Sequence, residues 1–335
     1  MPDRKIFDRS TIIKILIGTA VGIGAVYLSF RGVSVDQLMS VIREADPWLV
    51  ILGVGIVLLN VALLALRWWV MLLRPWSGES FLTLLAAVYL GQMINILLPA
   101  RLGELARTVY AAEGLPASKS TLLGSLVLEK MIDVITFGLT LLLLITAVTL
   151  PAWVADPGRS FLLLALIALG AVILLTLWGR PLLAWLTPLL QRLPGNWGER
   201  LAGILERGLE GFDSLRRWPR QLALWGLAVV SLLLSTLTNF AVLNALQISV
   251  PFSAALFVLL VLQVGSAPPS APGKLGVYHY LAVLALAAFA VPKDLALAYG
   301  VLLYAVALVP KVIIGVGVLI FSKWKLPNMK LMNED

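Results

Sequence analysis

The sequence predicts an all-α polytopic membrane protein built from two inverted repeats, each with three transmembrane helices and one re-entrant helical hairpin. Three observations predict this class: the apolar composition, a series of span-length apolar segments, and two apolar stretches broken by proline. Of the 335 residues, 60% are apolar and only 13% are charged, whereas a soluble domain has about a quarter of its residues charged. A soluble fold of this size has too little interior to hide so many apolar side chains.

Six segments are long and apolar enough to cross a bilayer, which takes about 20 residues. They are residues 14–30, 48–70, 120–150, 160–178, 221–246 and 295–321. The first segment follows a basic N-terminus and has no clear cleavage site, so we expect a retained signal anchor. We therefore expect residues 1–335 to form a single integral membrane domain.

Two further apolar stretches, residues 81–98 and 252–291, meet proline-containing breaks. Proline interrupts a helix, and irregular backbone at membrane depth is tolerated only where it lines a cavity in the protein. We therefore predict two re-entrant hairpins, whose second arms begin at Pro99 and Pro272, because proline is tolerated at the start of a helix. Two full crossings in place of either hairpin would leave the loops on the same sides.

The loop charges orient this topology. The chain has 26 Lys and Arg against 18 Asp and Glu, a net charge of +8. With the N-terminus in the cytoplasm, Arg67 and the arginine-rich residues 179–220 count among the cytoplasmic charges, as the positive-inside rule requires. We predict cytoplasmic N- and C-termini in the plasma (inner) membrane. The basic surplus then reflects topology, and we expect no nucleic-acid partner because no such module is recognisable.

The order of elements repeats between the two halves of the chain, residues about 11–150 and about 158–322. Each half has a span, an amphipathic stretch, a span, a broken hairpin and a span, and the tips share a pattern, Pro99–Gly103 and Pro272–Gly276. Three crossings per half invert the second half relative to the first, an arrangement typical of secondary transporters. The amphipathic stretch at about 198–217 is predicted to be a helix in the cytoplasmic interface.

Charged side chains at membrane depth cost roughly 2.5–3.5 kcal/mol each to insert, so they usually face a cavity or a partner. Glu129 and Asp133 lie one helical turn apart on the same face, and Lys130 is adjacent. The two carboxylates could titrate, as in a proton relay. They could equally form a static ion cluster with Arg101 or Arg107.

Basic side chains mark the two hairpin tips and the last span. Arg101 and Lys274 sit at the tips, which should approach each other because one hairpin enters from each side. A basic residue beside a helix N-terminus favours an anion such as phosphate; the alternative is that Arg101 only binds Glu104 or Glu129.

Lys311 lies too deep in the last span to reach water, so we expect it to pair with Asp133 or Glu129.

The composition narrows the possible chemistry. The chain has no cysteine and one histidine, His279, which excludes disulfides, thiolate nucleophiles and multi-histidine metal sites. We expect no metal and no cofactor. A lone histidine in a hairpin is usually a hydrogen-bonded packing residue, although a titrating gate is the alternative.

Three motifs in order resemble the lysylphosphatidylglycerol synthase transmembrane region family. They are Pro99–Arg107, Glu129–Asp133 and Pro272–Val277, and the resemblance covers about residues 10–325. It implies a flippase-like module of two inverted halves with re-entrant helices, which in members carrying the synthase moves an aminoacylated phospholipid between leaflets. By this match the family's motif residues are Arg101, Glu104, Arg107, Glu129 and Asp133.

The sequence departs from the family pattern at three positions. Lys130 stands where the family often has arginine, Lys274 replaces a glycine, and His279 stands where a glutamate is expected. Because of these departures, the sequence does not show whether the substrate is that of the aminoacylating members. The sequence continues only to Asp335 after the last predicted span, without the synthase domain, so we expect that this protein makes no lipid itself.

The leading hypothesis is a lipid flippase or scramblase that moves an anionic phospholipid or a polyprenyl phosphate through a midplane site between the tips. No nucleotide-binding loop is recognisable, so any driving force would come from a gradient, the membrane potential or downhill lipid flow. The alternatives are a secondary transporter of a small anionic solute and, less favoured, an intramembrane transferase with an acidic general base. The expected substrate-binding residues are Arg101, Glu104, Arg107, Lys274 and His279, and the expected coupling or ion-pair residues are Glu129, Lys130, Asp133 and Lys311.

Overall fold

The computed structural model describes residues 22–72, 77–97, 102–147, 152–191, 197–266, 272–322 and 324. The first half contains α1 (described over residues 22–30), α2 (Val35–Arg43), α3 (Pro47–Met71), α4 (Gly78–Leu97), α5 (Gly103–Gly114) and α6 (Lys119–Ala147). The second half contains α7 (Ala152–Leu190), α8 (Trp197–Glu210), α9 (Trp218–Ala245), α10 (Phe252–Gly265), α11 (Val277–Ala287) and α12 (Lys293–Ser322). These residues contain no β-strand, which confirms the all-α class.

Five of the described helices are long and apolar enough to cross a membrane, namely α3, α4, α7, α9 and α12. Helix α6 has 29 residues and, beyond Lys119 at its start, carries the three charged residues Glu129, Lys130 and Asp133. Large apolar side chains cover the outer faces of these helices, Leu166 and Ile313 among them, and stay exposed in the isolated chain. An exposed apolar surface of this extent is stable only when hydrocarbon surrounds it.

Over the described residues, the two halves share one order of elements, with six helices in each. The most extensive contact between helices joins α3 and α9, the equivalent long helices of the two halves. Asn60 of α3 donates to Ser235 Oγ (2.9 Å) and accepts from Ser231 Oγ (2.6 Å), both on α9. Such buried amides are typical links between membrane helices. The inverted orientation of the halves stays a prediction.

Two pairs of helices, α4 with α5 and α10 with α11, occupy the positions of the predicted hairpins. Helix α4 has 20 residues and spans about 30 Å at 1.5 Å per residue. Helices α5, α10 and α11 have 12, 14 and 11 residues, which is too short to cross a hydrocarbon core of about 30 Å. Short second arms are compatible with re-entrant hairpins, and re-entry itself stays a prediction.

The second arms begin after the tips. Helix α5 begins at Gly103 and α11 at Val277, so the predicted start at Pro272 is wrong. A 3₁₀ turn at Pro272–Lys274 comes first, and Gly276 then has a φ of +83°. A right-handed helix cannot pass through a left-handed residue, so α11 starts immediately after it. Pro99 lies outside the described residues.

Helix α7 is longer than the predicted span 160–178, because it continues to Leu190. The first part of the supposed long loop is therefore helical. Its extension packs on α8, and Arg180 Nη2 lies 2.6 Å from Asp213 Oδ2 just beyond α8. The neighbouring helix thus supports a segment that its own sequence, with Pro181 and Pro188 inside it, would be expected to interrupt.

The amphipathic helix predicted at 198–217 is shorter than expected, because α8 ends at Glu210. The amides of Gly211 and Phe212 donate to the carbonyl oxygens three residues earlier, Gly208 O and Leu209 O, and a short 3₁₀ helix follows. Gly211 allows this turn to lie against α6, since an added Cβ would lie 2.5 Å from Ser125 N.

A close approach of glycine backbones joins α6 and α8. A Cβ on Gly124 would collide with Gly208 O, whereas a Cβ on Gly208 would meet nothing within 4 Å. We expect Gly124→Ala to lower the midpoint of thermal unfolding in detergent, because the two helices must separate. Gly208→Ala is the matched control and should leave the midpoint unchanged or raise it, since alanine favours a helix. Equal effects of the two substitutions would contradict this packing.

Candidate functional site

Helix α5 places Arg107 against Glu129 of α6 in a buried bidentate ion pair. Arg107 Nη1 donates to Glu129 Oε1 (3.1 Å) and Nη2 donates to Oε2 (3.0 Å). The two residues are 6% and 1% exposed. The planar guanidinium matches the two carboxylate oxygens, and its Cζ lies 3.9 Å from the ring centroid of Trp68, a cation–π contact. Arg107, and not a solvent cation, therefore neutralises Glu129.

Arg67 of α3 is a second buried guanidinium, although the sequence analysis counted it among the loop charges. It is 1% exposed, and its Nη2 lies 2.8 Å from Asp133 Oδ1 and 3.9 Å from Glu129 Oε1. The two carboxylates do share one face of α6, as their spacing predicts. Arg67 bridges them and links α3 to α6.

Lys130 and Glu104 extend these contacts toward the first tip. Lys130 Nζ lies 3.7 Å from Glu104 Oε1 and 3.8 Å from Glu129 Oε1. Asn95 Nδ2 donates to Glu104 Oε2 (2.6 Å), while Asn95 Oδ1 accepts from the Gly103 amide (2.8 Å). Asn95 thus joins the last turn of α4 to the first turn of α5 and orients Glu104.

Six charged side chains therefore form one network, which we call the charged network: Arg67, Glu104, Arg107, Glu129, Lys130 and Asp133. Three cations face three anions, so the network is neutral. Its three buried members are Arg67, Arg107 and Glu129, and buried charges are retained when each has a partner. This geometry supports the static ion cluster, which fixes α3, α5 and α6 relative to one another.

The tip of the second helical pair touches the end of α4. Tyr304 Oη of α12 donates to Gly273 O (2.9 Å), and a Cβ added to Gly273 would lie 3.4 Å from Ile96 O. The second tip thus lies against the last turn of α4, and the approach of the two tips to each other stays a prediction. Arg101 lies outside the described residues, so its place beside Lys274 stays a prediction.

Lys274 lies in this turn, and its Nζ donates to Ser266 Oγ (2.8 Å). Its charge acts on Lys311 of α12, and we call these two residues the cationic pair. Lys311 makes no ion pair with an Asp or Glu of the described ranges. The two carboxylates that the sequence analysis offered as its partners are held by arginines instead. Like charges in a medium of low dielectric repel each other strongly.

His279 packs among aromatic rings at the base of this tip. It is 8% exposed, and its ring centroid lies 5.1 Å from that of Tyr304 and 6.3 Å from that of Tyr278. These contacts support a packing role for the histidine. A gating role stays a prediction.

The hydrogen bond from Tyr304 holds the strained turn that carries Lys274, whose φ is +58°. We expect Tyr304→Phe to accelerate amide hydrogen exchange over residues 272–276, and to destabilise the protein by about 1 kcal/mol, because one partly buried hydrogen bond is lost. Tyr280→Phe is the control, since its hydroxyl has no hydrogen bond among the described residues. Exchange that is equal in the two variants would show that the bond does not hold the turn.

Four contributors were not among the expected site residues: Arg67, Trp68, Asn95 and Tyr304. An arginine within a few residues of the end of an apolar span is a signal that could have found Arg67, because a charge at membrane depth usually has a partner. Trp68 covers Arg107 of another helix, and the spacing of the two residues in the sequence does not show this contact. The amide nine residues before Glu104 and the tyrosine on α12 depend on how helices are rotated, and sequence spacing does not show that.

The apolar helices, with ionised side chains paired between them, define the class: the chain is an integral membrane protein. The family model of the lysylphosphatidylglycerol synthase TM region matches residues 15–315. That match covers nearly the whole chain, and the protein belongs to this family. No curated protein and no solved structure matches the chain.

Proposed function

We propose that the protein moves a lipid with an anionic headgroup between the two leaflets of the membrane, as a flippase or scramblase and not as an enzyme. The observation that carries the proposal is the cationic pair of Lys274 and Lys311, whose first member lies in the turn that touches the end of α4. Membership of a family named for a phospholipid synthase supports a lipid as the transported molecule.

The binding step follows from the chemistry of the pair. The phosphate of the headgroup accepts hydrogen bonds from Lys274 and Lys311, while the acyl chains remain in the hydrocarbon. A bound phosphate removes the repulsion between the two ammonium groups, so binding energy is gained from relieved repulsion as well as from attraction. In this proposal Arg101 at the first tip supplies a further cation.

The transport step depends on a difference in rigidity between the charged network and the turn that carries Lys274. The neutral charged network fixes the first half of the site, whereas the second tip is a short turn with left-handed residues at Gly273, Lys274 and Gly276. We propose that this turn moves relative to the fixed half and exposes the bound headgroup to each side in turn. The termini are cytoplasmic in this scheme, and a gradient, the membrane potential or downhill lipid flow supplies the drive.

Reconstitution of the full chain into phosphatidylcholine vesicles tests the proposal. Fluorescent phosphatidylglycerol, phosphatidylcholine and a polyprenyl phosphate are placed in the membrane, and an impermeant quencher reports how fast each leaves the inner leaflet. We expect one of the anionic lipids to exchange faster than in protein-free vesicles, and phosphatidylcholine to exchange more slowly than that lipid. Exchange no faster than in empty vesicles for both anionic lipids would overturn the proposal.

A small anion could satisfy the same two lysines, so a second arm measures a water-soluble substrate. Vesicles of the same preparation are tested for uptake of labelled inorganic phosphate. Uptake of phosphate without lipid exchange would replace the lipid proposal with a transporter of small anions. Lipid exchange without phosphate uptake is the expected result.

A further inference from the structure

A groove of about 380 Å³ lies on the lipid-facing side of α6 and α7. Apolar side chains line nearly all of it: Leu123, Leu126, Val127, Met131, Val134, Leu164 and Ala168. Along α6 the groove extends about 16 Å at 1.5 Å per residue. Glu104 and Lys130 also contribute to the lining, although the accessible wall of the groove is apolar; two charged residues therefore border this apolar groove.

The placement of Lys130 is unusual for a membrane helix. Its side chain is 52% exposed, although it lies about 16 Å along α6 from Lys119 at 1.5 Å per residue. An ammonium group that faces hydrocarbon at that depth is strongly disfavoured. The ammonium group makes no hydrogen bond to its two acidic neighbours, because the distances from Lys130 Nζ to Glu104 Oε1 and Glu129 Oε1 are 3.7 Å and 3.8 Å, beyond hydrogen-bond length. A polar group from the membrane side would satisfy it.

Glu104 offers the complementary chemistry. Its Oε2 accepts from Asn95, which leaves Oε1 directed toward Lys130 at a distance too long for a hydrogen bond. A carboxylate oxygen only accepts hydrogen bonds, and a lysine only donates them. A ligand that fits both must therefore carry an acceptor next to a donor.

We infer that this groove binds one acyl chain of a membrane phospholipid, with the phosphodiester over Lys130 and a hydroxyl or ammonium donor of the headgroup over Glu104. The inference rests on the proposed function, since the groove would be where the lipid leaves its leaflet for the lysine pair. Ethanolamine and glycerol headgroups carry the donor. Choline does not, because its nitrogen has no hydrogen. Phosphatidylethanolamine and phosphatidylcholine are both zwitterionic, and they differ in the hydrogen-bond donor that Glu104 would recognise.

Photo-crosslinking with lipids that carry a diazirine in one acyl chain tests this site. The full chain is reconstituted in vesicles that differ only in a phosphatidylethanolamine or a phosphatidylcholine probe, and labelled peptides are mapped by mass spectrometry. Val127 in the groove and Leu142 outside it lie on the same helix and are both 53% exposed. We expect ethanolamine labelling at Val127 to exceed choline labelling roughly three- to ten-fold, the range for one hydrogen bond, and the two to be equal at Leu142.

Variants separate headgroup recognition from simple contact with lipid. Glu104→Gln is expected to remove the ethanolamine preference, and Lys130→Gln is expected to reduce labelling by both probes at Val127. Glu113→Gln is the control, because Glu113 is an exposed carboxylate on the same helix as Glu104 and outside the groove. Equal labelling by the two probes in the unmodified protein, or a preference that survives Glu104→Gln, would overturn the inference.

The two proposals fail in distinguishable ways. A groove without headgroup preference in a protein that still exchanges anionic lipid would overturn the groove and leave the transport proposal standing. A groove that prefers ethanolamine in a protein that exchanges no lipid would overturn the transport proposal and leave a lipid-binding site.

Discussion

Replacing Lys274 and Lys311 together by glutamine is expected to abolish most lipid transport without destabilising the fold. Each charge-assisted hydrogen bond to an anion is worth about 1.5–3 kcal/mol, and every 1.4 kcal/mol is about tenfold in affinity. Loss of both should therefore slow exchange of anionic lipid at least about tenfold at low lipid concentration. The fold should be as stable as before, or more stable, because two like charges no longer repel each other in a medium of low dielectric.

The vesicle exchange assay and thermal unfolding in detergent measure these two effects on the same preparation. Lys293→Gln is the matched control and should show the opposite pattern. Lys293 Nζ donates to Leu28 O (3.0 Å) and Arg31 O (2.6 Å), so its loss should lower stability slightly and leave transport unchanged. A double variant that transports at the normal rate would remove the lysines from the site. A double variant that unfolds readily would show that the pair stabilises the fold.

Glu129→Gln is expected to be the most destabilising conservative substitution in the charged network. It removes the carboxylate that both Arg107 and Arg67 face and leaves two buried guanidinium groups with one acid between them. Breaking a buried ion pair by removing one partner costs about 3–5 kcal/mol. Unfolding with a denaturing detergent in mixed micelles measures the loss of free energy.

Two further variants test whether unpaired guanidinium groups cause this loss of stability. Asp133→Asn should cost less than Glu129→Gln, because Asp133 is 29% exposed and Arg67 keeps Glu129 nearby. Adding Arg107→Leu to Glu129→Gln should restore part of the lost stability, because no unpaired guanidinium then faces the empty position. Strictly additive losses in the double variant would contradict the assignment of Arg107 and Glu129 as a pair.

Most of the helices could be predicted from the sequence, because hydrocarbon imposes a length and an apolar composition on each span. Glu129 and Asp133 could likewise be placed on one face, because the spacing of side chains along a helix is a local property. The errors in length have two other causes, a tertiary contact and a backbone conformation. Helix α7 runs past its prolines because α8 supports it, and α11 starts late because Gly276 is left-handed.

The partners of the buried charges could not be predicted in the same way. Lys311 was expected beside an acid, yet the acids pair with Arg67 and Arg107. Which cation reaches a given carboxylate depends on the rotation and tilt of helices that are far apart in sequence. Arg67 illustrates the difficulty, because a basic residue near the end of a span is compatible with a loop position and with a buried position alike.

The neutrality of the charged network also has a consequence for biosynthesis. Arg67 emerges from the ribosome roughly sixty residues before Glu129, which at 5–20 residues per second is an interval of about 3–12 s. During that interval α3 holds an arginine without its carboxylates, and α6 later brings two acids and a lysine into the membrane together. Because an unpaired arginine is costly in hydrocarbon, we expect helix α3 to remain near the insertion machinery until α6 arrives, so that the first half of the protein assembles as one unit.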